Sequence, residues 1–210
     1  MPGDSQAYFS SVASHWDEIR AGYFTDHMRD SAIAKAKLPA NAVVADIGTG
    51  TGFVARGLAA LAAKVYGFDA NSEMLEVAKQ NLQGFSNLEF RVAPGHQIPL
   101  PDKSLDGVFA NMYLHHDPQP ERAIHEMARV LIPGGVLCIT DLDPHKHEWQ
   151  REQMADLWLG FERDAIRKWY AAAGLHEIDV DCAEGTCDAC GPDGSMEPLS
   201  IFIAIGRKKA

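Results

Sequence analysis

The sequence predicts a doubly wound α/β fold in a single chain of 210 residues. Three observations carry that prediction. From Ala42 onward, short apolar runs alternate with stretches of helical periodicity, the pattern of a sheet whose strands are joined by helices. Several of the runs are continuously apolar rather than alternating, as strands buried on both faces are. The first run ends in "ADIGTGTGF" (45–53), an acid followed by three alternate glycines, where such a sheet binds its ligand.

Taken in order, "AVVADI" (42–47) is a buried strand, and a helix follows through Leu61 with Val54, Leu58 and Leu61 on one stripe. "KVYGFD" (64–69) is the second strand; Asn71 or Ser72 then caps a helix whose apolar positions are Met74, Leu75, Ala78 and Leu82. "LEFRV" (88–92) and "LDGVFANM" (105–112) are the third and fourth strands, separated by a loop with three prolines. Pro120 suits the first turn of a helix running to Leu131. "PGG" (133–135) ends that helix and leads into "VLCITD" (136–141), which places Cys138 in the core. One or two helices occupy Glu148 to Ala173, broken near Gly160, with Gly174 as the C-cap. "LHEIDVD" (175–181) and "LSIFIAIGR" (199–207) close the series.

Residues 1–40 differ from the core expected over 41–210. "YFSSVASHWDEIRAGYF" sets Tyr8, Phe9, Val12, Trp16 and Ile19 on one helical face. The pattern fits a helix packed on the sheet edge and equally a lid of aromatics over a pocket.

Composition narrows the function. Hydrophobic residues at 46% and charged residues at 23% describe an ordinary globular chain. A formal net charge of −10 disfavours nucleic acid, which needs a basic face; Arg207, Lys208 and Lys209 read as a solvated tail. No apolar run approaches the roughly 20 residues of a membrane span. "MPGDSQAYFS" lacks the blocks of a signal peptide, so the expected setting is cytoplasmic, with reduced cysteines and a monomer or homodimer.

The glycine turn is not a dinucleotide fingerprint, because position 53 is Phe and the third glycine comes early; no Lys-Ser/Thr follows to make a phosphate loop. Asp46 would repel a diphosphate in a partly dry site. An aminoacyl sulfonium fits better: its positive charge suits Asp46, and its carboxylate can use the amides at the helix N-terminus. Gly48, Gly50 and Gly52 let the backbone approach closely. Asp69, ending the second strand, is placed to accept two ribose hydroxyls. The plainer alternative is that both aspartates cap turns.

"VVADIGTGTGFVARGLA" followed by "VYGFDANSEMLEVAKQN" resembles the class I S-adenosylmethionine-dependent methyltransferases. "IPLPDKSLDGVFANMYLHH" with "AIHEMARVLIPGGVLCITD" is similar to their small-molecule branch, typified by ubiquinone and menaquinone biosynthesis methyltransferases. "YFSSVASHWDE" is similar to that branch's N-terminal lid. The resemblance implies a mostly parallel, seven-stranded Rossmann-like sheet with its last strand antiparallel. It also implies S-adenosyl-L-methionine as cofactor, S-adenosyl-L-homocysteine as product and a small-molecule methyl acceptor. By residue, it implies that Asp46 supports the methionine amino end through the turn, and that Gly48, Gly50 and Gly52 line the methionyl and ribose portions. Asp69 would hold the ribose diol, Ala70 and Met74 would flank adenine, and the Asn111 carbonyl would lie near the methionyl ammonium. Tyr23 and Phe24 would close over the cofactor with the first helix. One departure stands out: the family's acid after the third strand, which accepts from the adenine amino group, is replaced by Pro94. Gly95 keeps a backbone N–H for the adenine ring, and His96 or Gln97 is left to supply the acceptor, unless apolar contacts suffice.

His115 and His116 follow the fourth strand at the expected pocket mouth, where an imidazole can take a proton from an acceptor; the alternative is a turn cap and a solvent-facing ring. Cys182, Cys187 and Cys190 in "CAEGTCDACGPDG" have a spacing able to gather a soft metal or metalloid, against the alternative of three reduced thiols in a Gly-rich link. Two rival functions remain: a non-enzymatic binding module on the same fold, and a nicotinamide enzyme, against which the misplaced glycine argues.

Overall fold

A computed structural model of the chain describes residues 5–21, 24–190 and 196–209; the side chains of 184–190 and 196–198 lie outside that description. Three helices come first: α1 (Ser5–Val12), α2 (Trp16–Ala21), which follows a single 3₁₀ turn, and α3 (Asp26–Ala36). The core then alternates as β1 (Val43–Ile47), α4 (Phe53–Ala59), β2 (Lys64–Asp69), α5 (Ser72–Asn81), β3 (Leu88–Val92) and β4 (Leu105–Asn111). It continues with α6 (Pro120–Val130), β5 (Leu131–Leu142), α7 (Trp149–Gln153), α8 (Arg163–Ala172), β6 (Leu175–Cys190) and β7 (Met196–Lys208). Among the described residues no helix is long and apolar enough to cross a membrane.

The sheet has seven strands in the order β3-β2-β1-β4-β5-β7-β6. β7 runs antiparallel to both its neighbours, and the remaining pairs are parallel. The order reverses between β1 and β4, so a crevice opens beyond the C-terminal end of β1. Alternate residues feed two cores: Val44 and Cys138 pack with α3 and α4 on one face, Ala45 and Leu137 with α6 and α8 on the other. Burial on both faces explains why these strands read as continuous apolar runs.

Caps set the helix starts that shape the crevice. Asn71 Oδ1 accepts from the Met74 amide at 2.9 Å, so Asn71 rather than Ser72 caps α5. Gly160 breaks the chain between α7 and α8, and Gly174 follows α8 with φ +78°.

Three expectations change. α4 stops at Ala59, and Leu61, expected on its buried stripe, is 65% exposed because the chain has already left the helix. β5 begins at Leu131, directly after α6; Gly134, with φ +82°, sits within a register shift that lets the strand absorb "PGG". β6 and β7 extend toward each other, with Cys187 paired to Leu199 and Cys190 to Met196. The expected Gly-rich link is therefore largely a two-stranded ladder, where cross-strand pairing overrides weak strand propensity.

Candidate active site

The turn between β1 and α4 is built from the two predicted aspartates. Asp46 is 1% exposed; its Oδ2 accepts from the Thr49 hydroxyl at 2.7 Å and from the Ala55 amide at 3.0 Å. Burial pushes its carboxyl up to about 7, with these bonds opposing. Asp69, at the end of β2, accepts from the Gly50 amide at 2.8 Å and from the Asn71 amide at 2.9 Å. Burial raises its pKa too. One carboxylate braces the turn from beneath and the other pins its tip. Gly50 has φ +53°, and a Cβ there would meet only Trp16 Nε1, at 3.8 Å, so bare backbone faces the space beneath the N-terminal helices.

That space is a pocket of about 470 Å³, within the usual range for small-ligand sites. Asp46, Gly48, Gly50, Asp69, Ala70, Met74, His96, Asn111 and His116 line it, all expected from the sequence. Phe9, Trp16, Arg20 and Phe24 close it from the N-terminal side. Asp17 fastens this cover by accepting from the Thr51 hydroxyl at 2.8 Å and from Asn81 Nδ2 at 3.0 Å. Asn71 Nδ2 donates to Ser10 Oγ at 2.8 Å, and the Arg20 guanidinium lies 4.0 Å from the centre of the Phe53 ring.

Other expected site residues fall elsewhere. Gly52 is not on the pocket wall; its φ of +92° and the 2.6 Å approach of a Cβ to Leu82 Cδ1 make its requirement the turn's left-handed backbone and helix packing. Gly95 is also off the wall, and its amide donates to Tyr113 Oη at 3.0 Å instead of pointing at a ligand. Tyr23 lies outside the described residues.

The two histidines separate into different roles. They share a 3₁₀ turn, Leu114–His116, just past β4. His115 is 4% exposed and absent from the pocket wall; its Nδ1–H donates to Asp141 Oδ1 at 2.7 Å, and its Nε2 lies 3.8 Å from Asp156 Oδ1. Burial opposes a charge there, but Asp141 and Asp156 together outweigh it and push the ring up to about 9. His116 does reach the pocket. Burial and the neighbouring His115 hold its pKa well below the ordinary imidazole range, so it is neutral at pH 7. The Phe9 ring meets it edge-on at 4.9 Å. Asp141 and Asp156 were not read as site residues from the sequence; strand ends and loops bring them to His115 only in the fold.

Residues 45–139 match the methyltransferase domain family. The chain carries a methyltransferase domain. It is 30% identical over 180 residues to 2-methyl-6-phytyl-1,4-hydroquinone methyltransferase 1, chloroplastic, of Oryza sativa subsp. japonica, covering 82% of this chain and 52% of that protein. It is 32% identical over 143 residues to the demethylmenaquinone methyltransferase of Clavibacter sepedonicus, covering 67% and 58%. The chain thus spans little more than half the length of these relatives. In structure it resembles a chain from a complex that contains the Haloferax volcanii Trm112 methyltransferase activator. There the TM-score is 0.83 at 22% identity, with 99% of this chain and 98% of that chain covered; at that identity the likeness speaks to fold alone.

Within this methyltransferase domain, the neighbourhood of Pro94 holds two residues that sequence reasoning missed. Tyr113 Oη donates to Asp117 Oδ2 while accepting from Gly95. Asp117 is 3% exposed and lies on the pocket wall, and its Oδ1 accepts from the Gln119 amide at 2.7 Å. Burial, then the Asp117 carboxylate, holds the Tyr113 phenol well above its ordinary range, so it stays a donor. Among the described residues His96 Nδ1 is buried without a hydrogen-bond partner, 3.6 Å from Asp117 Oδ2. The signal available was a Tyr and an Asp four apart after the fourth strand, too common to single out.

The cysteines give a divided picture. Cys138 is buried in the core as expected, and burial pushes its thiol up to about 12. Cys182 is exposed, with Arg163 Nη2 at 3.2 Å from its sulfur. The side chains of Cys187 and Cys190 lie outside those described, so the expected three-thiol site has one described member.

Proposed function

We propose that this chain transfers the methyl group of S-adenosyl-L-methionine to a small aromatic acceptor carrying an ionisable hydroxyl. The observation that carries the reading is the Asp69 carboxylate, fixed by the Gly50 and Asn71 amides at the wall of a pocket capped by aromatics. The residues present fit the cofactor. Asp46, Asp69 and Asp117 all line the pocket, favouring a cationic ligand over a diphosphate. Gly50 leaves open the space that a side chain would fill.

When bound, the cofactor supplies an electrophilic methyl group on a sulfonium and is left as S-adenosyl-L-homocysteine. Asp69 holds the ribose hydroxyls, Asp46 and the turn support the methionyl end, and Ala70 and Met74 flank adenine. Asp117, with His96, supplies the acceptor that Pro94 lacks. Residues 5–21 form the lid that keeps water from the transfer path, and Phe9, Trp16 and Phe24 give the acceptor apolar faces to stack on. His116, neutral and on the wall, takes the acceptor's hydroxyl proton. An aromatic hydroxyl suits these walls and agrees with relatives named for hydroquinone and menaquinone methylation. The cysteine segment has no part in this reading.

A panel of hydroquinones and phenols with methyl-labelled cofactor tests it. Label should pass to at least one acceptor, and Asp69→Ala should abolish that transfer at low cofactor concentration. Transfer to none of them, in a protein that binds the cofactor, would remove the acceptor class.

A further inference from the structure

We infer that His115, His116 and Asp156 form a binding site for one divalent transition-metal ion of the zinc class. The first ground is spacing. Asp156 Oδ1 stands 3.8 Å from His115 Nε2 and 3.8 Å from His116 Nδ1, and one donor atom from each residue lies within 4.8 Å of the other two. Such distances are too long for hydrogen bonds. Ligands of a tetrahedral ion with bonds of ~2.1 Å stand ~3.4 Å apart, so the trio closes on an ion by side-chain shifts of about an ångström or less per donor.

The second ground is independent of the trio. Gln150, 2% exposed, lines the same small cavity, and its Oε1 is buried with no hydrogen-bond partner among the described residues. A cation in that cavity, whose volume is about 30 Å³, gives the amide oxygen a partner.

The third ground is orientation. His115 donates its Nδ1–H to Asp141 Oδ1 at 2.7 Å, and Asp141 is held in turn by the Leu114 and Leu142 amides, each at 2.8 Å. A carboxylate behind an imidazole is the usual arrangement that fixes a metal-binding histidine, and here it turns Nε2 toward Asp156. Imidazole nitrogens with one carboxylate suit zinc, cobalt or iron rather than magnesium or calcium, which prefer all-oxygen shells.

His116 belongs to both the ion cavity and the cofactor pocket, so the ion lies one imidazole away from the acceptor. An ion on Nδ1 displaces that nitrogen's 3.3 Å contact with the Ala155 carbonyl oxygen and leaves the ring's proton on Nε2, so His116 takes the acceptor's proton only in the ion-free form. That consequence rests on the methyl-transfer reading; ion binding itself does not.

The test uses the full chain, reduced and stripped with a chelator, titrated with Co²⁺ under visible absorption and then competed with Zn²⁺. One equivalent of cobalt should bind, with the d–d bands of nitrogen and oxygen ligands and no thiolate charge-transfer band, and zinc should displace it. Asp156→Asn should weaken cobalt binding about tenfold or more, and His116→Gln, at the cavity rim, gives a second reading of the same loss. Replacing Cys182, Cys187 and Cys190 together by Ser should leave the affinity within about twofold. Circular dichroism on the same proteins reports folding, and calorimetry with S-adenosylmethionine reports the methyl-transfer reading. Cobalt binding without cofactor binding upholds the site and counts against methyl transfer. No saturable cobalt spectrum in protein that binds cofactor overturns the site, as does a spectrum that needs the cysteines and survives Asp156→Asn.

Discussion

The Tyr113 hydroxyl donates to Asp117 and accepts from the Gly95 amide, joining the loop after β3 to the turn after β4 at the pocket wall. This places a carboxylate near the position where Pro94 removes one. If Asp117 reads the adenine amino group, an S-adenosylmethionine analogue with a 6-oxo purine should bind native protein ten- to a hundredfold more weakly. That is the ~1.5–3 kcal/mol expected of a hydrogen bond to a charged group. Asp117→Asn, which adds an amide donor, should narrow the gap. Calorimetry with the two ligands measures both, and an unchanged ratio in the variant would remove Asp117 from adenine recognition.

Asp69→Ala should weaken cofactor binding by about 1.5–3 kcal/mol, since the carboxylate both pins Gly50 and lines the pocket. Circular dichroism should show an intact fold. A folded variant with native affinity would leave Asp69 as a turn brace only.

Cofactor affinity should rise with pH as Asp46 ionises. Its carboxyl is raised from 3.8 to about 7 in the unliganded chain, and a bound cation favours the ionised form. Affinity should therefore fall as pH drops below about 7. Stability of the unliganded chain has the opposite slope from this group: a carboxyl with a raised folded pKa contributes fully below about 4, and that contribution is lost as pH rises through about 7. Calorimetric titrations between pH 5.5 and 8 (roughly the span that brackets this ionisation) check the sign, and Asp46→Asn should flatten the dependence.

The first helices should be separable from the sheet. Phe24 is buried against Phe53 and belongs to the core, so the deletion to make is residues 1–21. The shortened protein should unfold cooperatively, bind cofactor weakly and lose turnover. Normal turnover would reduce α1 and α2 to packing on the sheet.

Gly160→Ala should destabilise the chain by ~1–3 kcal/mol, read from a denaturant midpoint. Gly160 has φ +79°, and a Cβ there would fall 2.1 Å from the Asp143 carbonyl oxygen. The sequence showed this break because glycine interrupts a helical period. The strands were legible for a similar reason: residues such as Val44 and Ala45 are buried on opposite faces, leaving a continuous apolar run. The aspartates of the turn were legible because strand ends fix where they stand. Leu61 misled because a helical stripe does not say where the helix stops, and the extension of β6 and β7 depends on pairing with each other. Asp117, Asp141 and Asp156 went unread because their neighbours are set by tertiary packing: Asp141 meets His115 across 26 residues of sequence.

The most direct test of the account is calorimetric titration of the purified chain with S-adenosylmethionine, S-adenosylhomocysteine and NADH. The first two should bind saturably, one to one and in mutual competition, at least tenfold more weakly in Asp69→Ala, and NADH should give no heat. Absence of S-adenosylmethionine binding by folded protein, or binding of NADH in its place, would contradict it.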